Sequence, residues 1–239
     1  MSRRIKKSKK IILYVIFACV CMTLLDLFVK PIYTIKCLIK IILFFVIPLF
    51  ILTKRDRKSL IRMIKPKKEG MFKSISIGFI FYLIILYLYF LLTEKYDFSN
   101  IVSLVDINSG INKGNIVLVL IYISFFNSLL EEFFFRNLSF LLLKKHVRKI
   151  YCYLFSSIMF ALYHVSIIIG WFELPILLCA IFGLMFLGIV FNYLNEKNNN
   201  IFNSWMCHDS ISKSYCIINN NKKFFFYYDI ISYDRKCVL

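Results

Sequence analysis

The sequence predicts an all-α fold, a polytopic membrane helical bundle of six to seven transmembrane helices. Three observations predict it. Residues of types A, V, I, L, M, F, W, Y and C make up 60% of the 239 positions and the mean hydropathy is +0.72, far outside a soluble domain. The apolar residues fall in runs of about 20, the length that crosses a hydrocarbon core of about 30 Å. Basic residues gather at the ends of those runs, where they anchor a helix at the membrane surface.

Taken in order, the first run, 11–29, follows the basic stretch SRRIKKSKK. It is too long for an ordinary signal peptide and has no small-residue cleavage site, so it reads as a retained anchor. The second run, 37–53, is short, and the basic loop KRDRKSLIRMIKPKK separates it from the third, 74–93. A loop over 94–115, poor in basic residues and containing Asp97 and Asp106, leads to the fourth run, 116–143, long enough to tilt or protrude. KKHVRK then precedes 150–170, and a short loop with Glu173 precedes 176–194. A seventh segment, 201–218, carries Asn203, Ser204, His208, Asp209, Ser210, Ser212, Lys213 and Ser214, and hydropathy alone rejects it.

If every run crosses, the three basic segments share one side. Because Lys and Arg concentrate in short cytoplasmic loops, that side is the cytoplasm, so a multi-pass protein of the cell membrane with a cytoplasmic amino terminus is expected. The net charge of +18 does not indicate nucleic acid, since no basic patch interleaves with aromatic strands. The expected partner of that charge is the lipid bilayer. Eight cysteines without a C-x-x-C pair read as small buried hydrophobes, among them Cys19, Cys21, Cys152 and Cys179. No internal repeat is visible. The chain divides into amino-terminal helices and basic loops (1–114), a core (115–218) and a polar, basic tail (219–239), whose KCVL end has its cysteine one place too late for a prenylation box.

Ionisable residues within spans cost roughly 2.5–3.5 kcal/mol each on insertion scales and mark function by default. Glu131 and Glu132 lie in the fourth run, His164 in the fifth and His208 in the seventh, at depths that alternating topology matches. Glu132 and Arg136 stand four apart in the order that favours pairing along one face. Glu131 is rotated by about 100° and has no such partner, which suits a general base with raised proton affinity. Asn127, one turn earlier, is placed to hydrogen-bond it or a bound water. Each residue also has a plainer reading: a structural ion pair for Glu132 and Arg136, and a satisfied buried histidine for His164 and for His208. His146, among loop lysines, reads as a solvated surface residue.

The order EEFFFR (131–136), FALYH (160–164) and HDSIS (208–212) resembles the CAAX protease and bacteriocin-processing family of intramembrane proteases, related to the Ras-converting endopeptidase. That family carries E-E-x-x-x-R, F-x-x-x-H and H-x-x-x-N or D on separate helices, and the resemblance covers roughly 115–215. It implies an endopeptidase acting on a peptide or membrane-protein substrate, in which Glu131 activates water, His164 helps to hold it, Glu132 and Arg136 brace the site, and His208 stabilises the oxyanion. Glu131, His164 and His208 also make a two-histidine, one-carboxylate set compatible with Zn2+, although no H-E-x-x-H helix is present. The third motif departs from the family, with Ser212 where Asn or Asp is expected. That departure leaves open a catalytically impaired immunity or scaffold protein, and midplane acids and histidines leave open a proton pathway, for which no inverted repeat is found.

Overall fold

The computed structural model describes residues 2–29, 31–65, 68–93, 122–169 and 173–212. The expected loop 94–115, the start of the fourth run at 116–121, the end of the seventh segment at 213–218 and the tail 219–239 lie outside the described residues. Helix α1 is Ser2–Leu24, continued by a wider turn Leu25–Val29. Helix α2 runs Tyr33–Ile41 and on through Ile42–Val46 and Ile47–Ile51. Helices α3 (Lys54–Ile64) and α4 (Met71–Thr93) follow. Helix α5 comprises Tyr122–Asn127, Ser128–Glu131 and Glu132–Leu142, and a single turn Leu143–Lys145 ends it. Then come α6 (Lys149–Ile168), α7 (Leu174–Glu196) and α8 (202–212). Among the described residues there is no strand.

Four of these stretches are long and apolar enough to cross a membrane: Arg4–Val29, Thr34–Ile51, Met71–Leu88 and Leu174–Glu196. Their large side chains point outward, as with Phe72, Phe79 and Tyr87 on α4 and Phe182 and Phe186 on α7. Lipid tails accept such surface, whereas water does not. The protein is a helical membrane protein. Helix α5 has the opposite character, since every residue from Glu132 to Leu142 is buried. It is the central post, and the polar residues that hydropathy penalises face protein on all sides.

Close packing sets α6 against α7. A Cβ on Gly188 would stand 2.9 Å from the Ser157 Cα, so only glycine allows this approach. Beside it, Asn192 Nδ2 donates to Ser157 Oγ (3.3 Å) and Ser156 Oγ donates to the Phe135 carbonyl (2.7 Å), so α5, α6 and α7 meet through satisfied polar groups. Helix α2 docks on α5 through Phe44 and Phe134, stacked at 3.9 Å between centroids.

The basic stretch after α2 is not simply a loop. Thr53 caps a helix there, its hydroxyl accepting from the Asp56 N–H at 3.4 Å, and Asp56, Leu60 and Met63 form a buried stripe at i, i+4 and i+7. The Leu60 and Met63 carbonyls accept from Asn137 Nδ2 (2.9 Å) and the Ile201 N–H (3.0 Å), so α3 seats both α5 and α8. Lys7 pairs with Asp56, Lys145 Nζ donates to Ser59, and Lys149 pairs with Glu196 at 2.8 Å. The three basic segments therefore gather at one end of the bundle. Burial alone would raise the Asp56 carboxyl, but the hydrogen bonds from Lys7 and Thr53 and the charge of Lys7 outweigh it and hold the group below its ordinary value.

His146 is not the solvated residue its lysine neighbours suggest. Both ring nitrogens are buried without a hydrogen bond, and burial, then the nearby Lys7, push its proton affinity below the ordinary value against the pull of Asp56. Cys19, Cys152 and Cys207 are buried and Cys21 partly so, but Cys179 is exposed on the outward face of α7. An apolar lipid environment accepts it there as readily as a core does.

Candidate active site

Three helices bring the singled-out residues to one point. Glu131 is 3% exposed, and its Oε2 lies 3.6 Å from His164 Nε2 on α6 and 3.6 Å from His208 Nε2 on α8. The two imidazoles thus flank a single carboxylate oxygen. His164 Nδ1 meets the Phe160 carbonyl at 2.8 Å, one turn back on α6; a carbonyl only accepts, so this nitrogen carries the proton and Nε2 faces Glu131 as a lone pair when the ring is neutral. The F-x-x-x-H spacing is what closes that bond.

Glu132 is fully buried and serves α8. Its Oε1 accepts from His208 Nδ1 at 2.9 Å, and its Oε2 accepts from the Ser204 hydroxyl. Ser204 is held in turn by Asn195 Nδ2 at 2.5 Å, with the Ser204 N–H donating back to Asn195 Oδ1 at 3.2 Å. This network makes a polar, weakly hydrophobic helix dock inside the bundle. It also fixes the His208 ring with Nε2 directed at Glu131, the same orienting logic by which a carboxylate holds a catalytic histidine.

Arg136 stands one turn after Glu132, its Nη1 3.5 Å from Glu132 Oε1. The ion pair read from the sequence is present, yet Nε, Nη1 and Nη2 make no hydrogen bond. The guanidinium lies between the rings of Phe160 and Phe191, at 3.9 and 4.8 Å from their centroids. Cation–π contact is a large part of its surroundings, and that contact ties α5 to α6 and α7.

Glu131 is not without a cationic partner. Lys40 Nζ, from α2, reaches Glu131 Oε1 at 2.6 Å and Asn127 Oδ1 at 2.6 Å. The expectation of an unpaired acid, and the raised proton affinity built on it, considered only α5; the partner comes from 91 positions away. Asn127 does bond Glu131 as its position suggested, with Nδ2 donating to Oε1 at 3.0 Å. One oxygen of Glu131 is thus occupied twice, and the other is turned to the histidines.

The family model described as type II CAAX prenyl endopeptidase Rce1-like matches residues 113–211. Over this segment the chain is similar to the Rce1-like family. No curated protein and no solved structure matches the chain. The Rce1-like segment contains Glu131, Glu132, Arg136, His164 and His208, and it ends one residue before Ser212. Lys40 lies outside it. Sequence reasoning missed Lys40 because, at the fourth position of the expected span, it resembles a lysine that snorkels to the membrane surface. Its signal was the long apolar run that follows it, IILFFVIPLF (41–50), which together with CLI (37–39) before it places the lysine within the apolar stretch.

Among the described residues no group of three or more His, Cys, Asp or Glu side chains is arranged to hold a metal ion. The Lys40 ammonium already bonds Glu131, and a divalent cation on the same carboxylate would meet its like charge. No step below runs through a metal.

Proposed function

We propose that the chain is an intramembrane endopeptidase of CAAX type, cleaving a membrane-associated protein or peptide near the end of the bundle where its basic segments gather. The observation that carries this reading is the single carboxylate oxygen of Glu131 set between two imidazole Nε2 atoms, each at 3.6 Å. Peptide hydrolysis needs a base for water and a donor for the developing oxyanion, and this set supplies both. Water bound there donates to Glu131 Oε2 and to His164 Nε2. Glu131 takes one proton as the water oxygen bonds to the carbonyl carbon. His208, its ring held through Nδ1 by Glu132, donates from Nε2 to the oxyanion. When the tetrahedral intermediate collapses, the C–N bond breaks and the proton on Glu131 passes to the leaving nitrogen.

A second reading, a catalytically impaired immunity or scaffold protein, is favoured by Ser212, whose hydroxyl reaches less far than the amide or carboxyl side chain of the family motif. The two readings separate in one experiment: purified protein in liposomes, incubated with a peptide library, with products identified by mass spectrometry in the presence and absence of a chelator. The proteolytic reading predicts discrete cuts that chelator leaves unchanged and that His208→Ala reduces by about a hundredfold to a thousandfold, the usual cost of one oxyanion donor. Binding without cuts supports the scaffold.

A further inference from the structure

We infer that Lys40 is a positioning residue of this active site, holding one oxygen of Glu131 so that the other faces His164 and His208. The inference rests on the proteolytic reading. Lys40 is 4% exposed, and an ammonium so buried is costly unless paired and hydrogen-bonded. Its bonds go to Glu131 Oε1 and Asn127 Oδ1, each at 2.6 Å, and its charge lies over the Tyr163 ring (4.9 Å) and the Phe44 ring (5.5 Å). The neighbouring cation on α2, Lys36, is engaged elsewhere, paired with Asp26 at 2.7 Å.

The geometry divides the labour on Glu131. Lys40 and the Asn127 amide both bond Oε1, which fixes the rotation of the carboxylate about its last bond. Oε2, bonded by neither, is then the oxygen presented to the imidazoles. A bidentate base free to rotate would spend part of its time with neither oxygen aligned, and misplacement by about 1 Å can cost a hundredfold in rate. Lys40 lies outside residues 113–211, so the working site needs a residue from the amino-terminal helices that the Rce1-like segment does not contain. Tyr163, under the ammonium, is next to His164, so the same lysine links α2 to the helix that carries the water-holding histidine.

Two measurements test this. In liposomes, Lys40→Met should lower kcat by about a hundredfold with KM within about twofold, and Lys40→Arg, which keeps a charged donor, should recover about tenfold of that loss. In a thermal-melting cycle on the purified protein, Lys40→Met and Glu131→Gln should each lower Tm, and the double variant should melt above Lys40→Met, because the lone buried charge is gone. Lys40→Met with wild-type kcat, or a loss in KM alone, overturns the positioning role. Additive Tm losses overturn the pairing itself. Wild-type protein that cuts nothing overturns the proteolytic reading and Lys40's part in it, and the melting cycle then still reports whether the pair exists.

Discussion

At the scale of single residues, the candidate site is a set of buried charges that balance one another. Glu131 is matched by Lys40, and Glu132 faces Arg136 and His208. Breaking such a pair leaves a lone charge and typically costs about 3–5 kcal/mol, whereas replacing both members with apolar or neutral groups of similar volume costs far less. Arg136→Ala should therefore lower the melting temperature and the yield of folded protein, and Glu132→Gln with Arg136→Met should recover part of both, since methionine refills the space between Phe160 and Phe191. Detergent-solubilised melting curves check this, and an Arg136→Ala protein that melts like wild type removes its bracing role. The acids, the arginine and both histidines of this set were legible in the sequence because each is expensive in lipid. Lys40, Ser204 and Asn195 were not, because their worth comes from partners on other helices and no local spacing encodes it.

At the scale of elements, the apolar runs 11–29, 37–53, 74–93 and 176–194 were readable as helices from hydropathy, and helices stand there. Two elements were harder. Helix α3 was hidden by its charges, although Thr53 and Asp56 carried a capping signal and Leu60 and Met63 a helical stripe. Helix α8 fails as a lipid-facing span since Asn203, Ser204, Asp209 and Ser212 are buried against neighbours, where hydrogen-bonding protein replaces lipid. The α6–α7 contact gives a sharp test of packing. Gly188→Ala places a methyl 2.9 Å from the Ser157 backbone and should destabilise by about 1–3 kcal/mol. Gly183→Ala, on the same helix with nothing within 4 Å, should leave the melting temperature unchanged or slightly higher, because alanine favours a helix. Equal effects at the two positions would mean that α6 and α7 do not pack through Gly188.

At the scale of the whole molecule, lipid-facing helices surround α5, and the basic segments meet at one end. The positive-inside rule predicts a cytoplasmic location for that end. A reporter fused after Lys68 should then read as cytoplasmic and one inserted at Glu173 as opposite; the same side for both would break the topology. The arrangement puts the polar site inside the bundle, joined to the basic end by α8, which starts where Ile201 bonds Met63 and carries His208 on its second turn. The central claim is that Glu131 is the base of a hydrolytic reaction. Its most direct test is single-turnover cleavage of the same peptide by liposome-embedded wild-type and Glu131→Gln protein. Glutamine keeps the shape and polarity of the side chain and removes the base, so cleavage should be abolished while the variant still inserts in the membrane and melts cooperatively. Cleavage by Glu131→Gln at the wild-type rate would contradict the account.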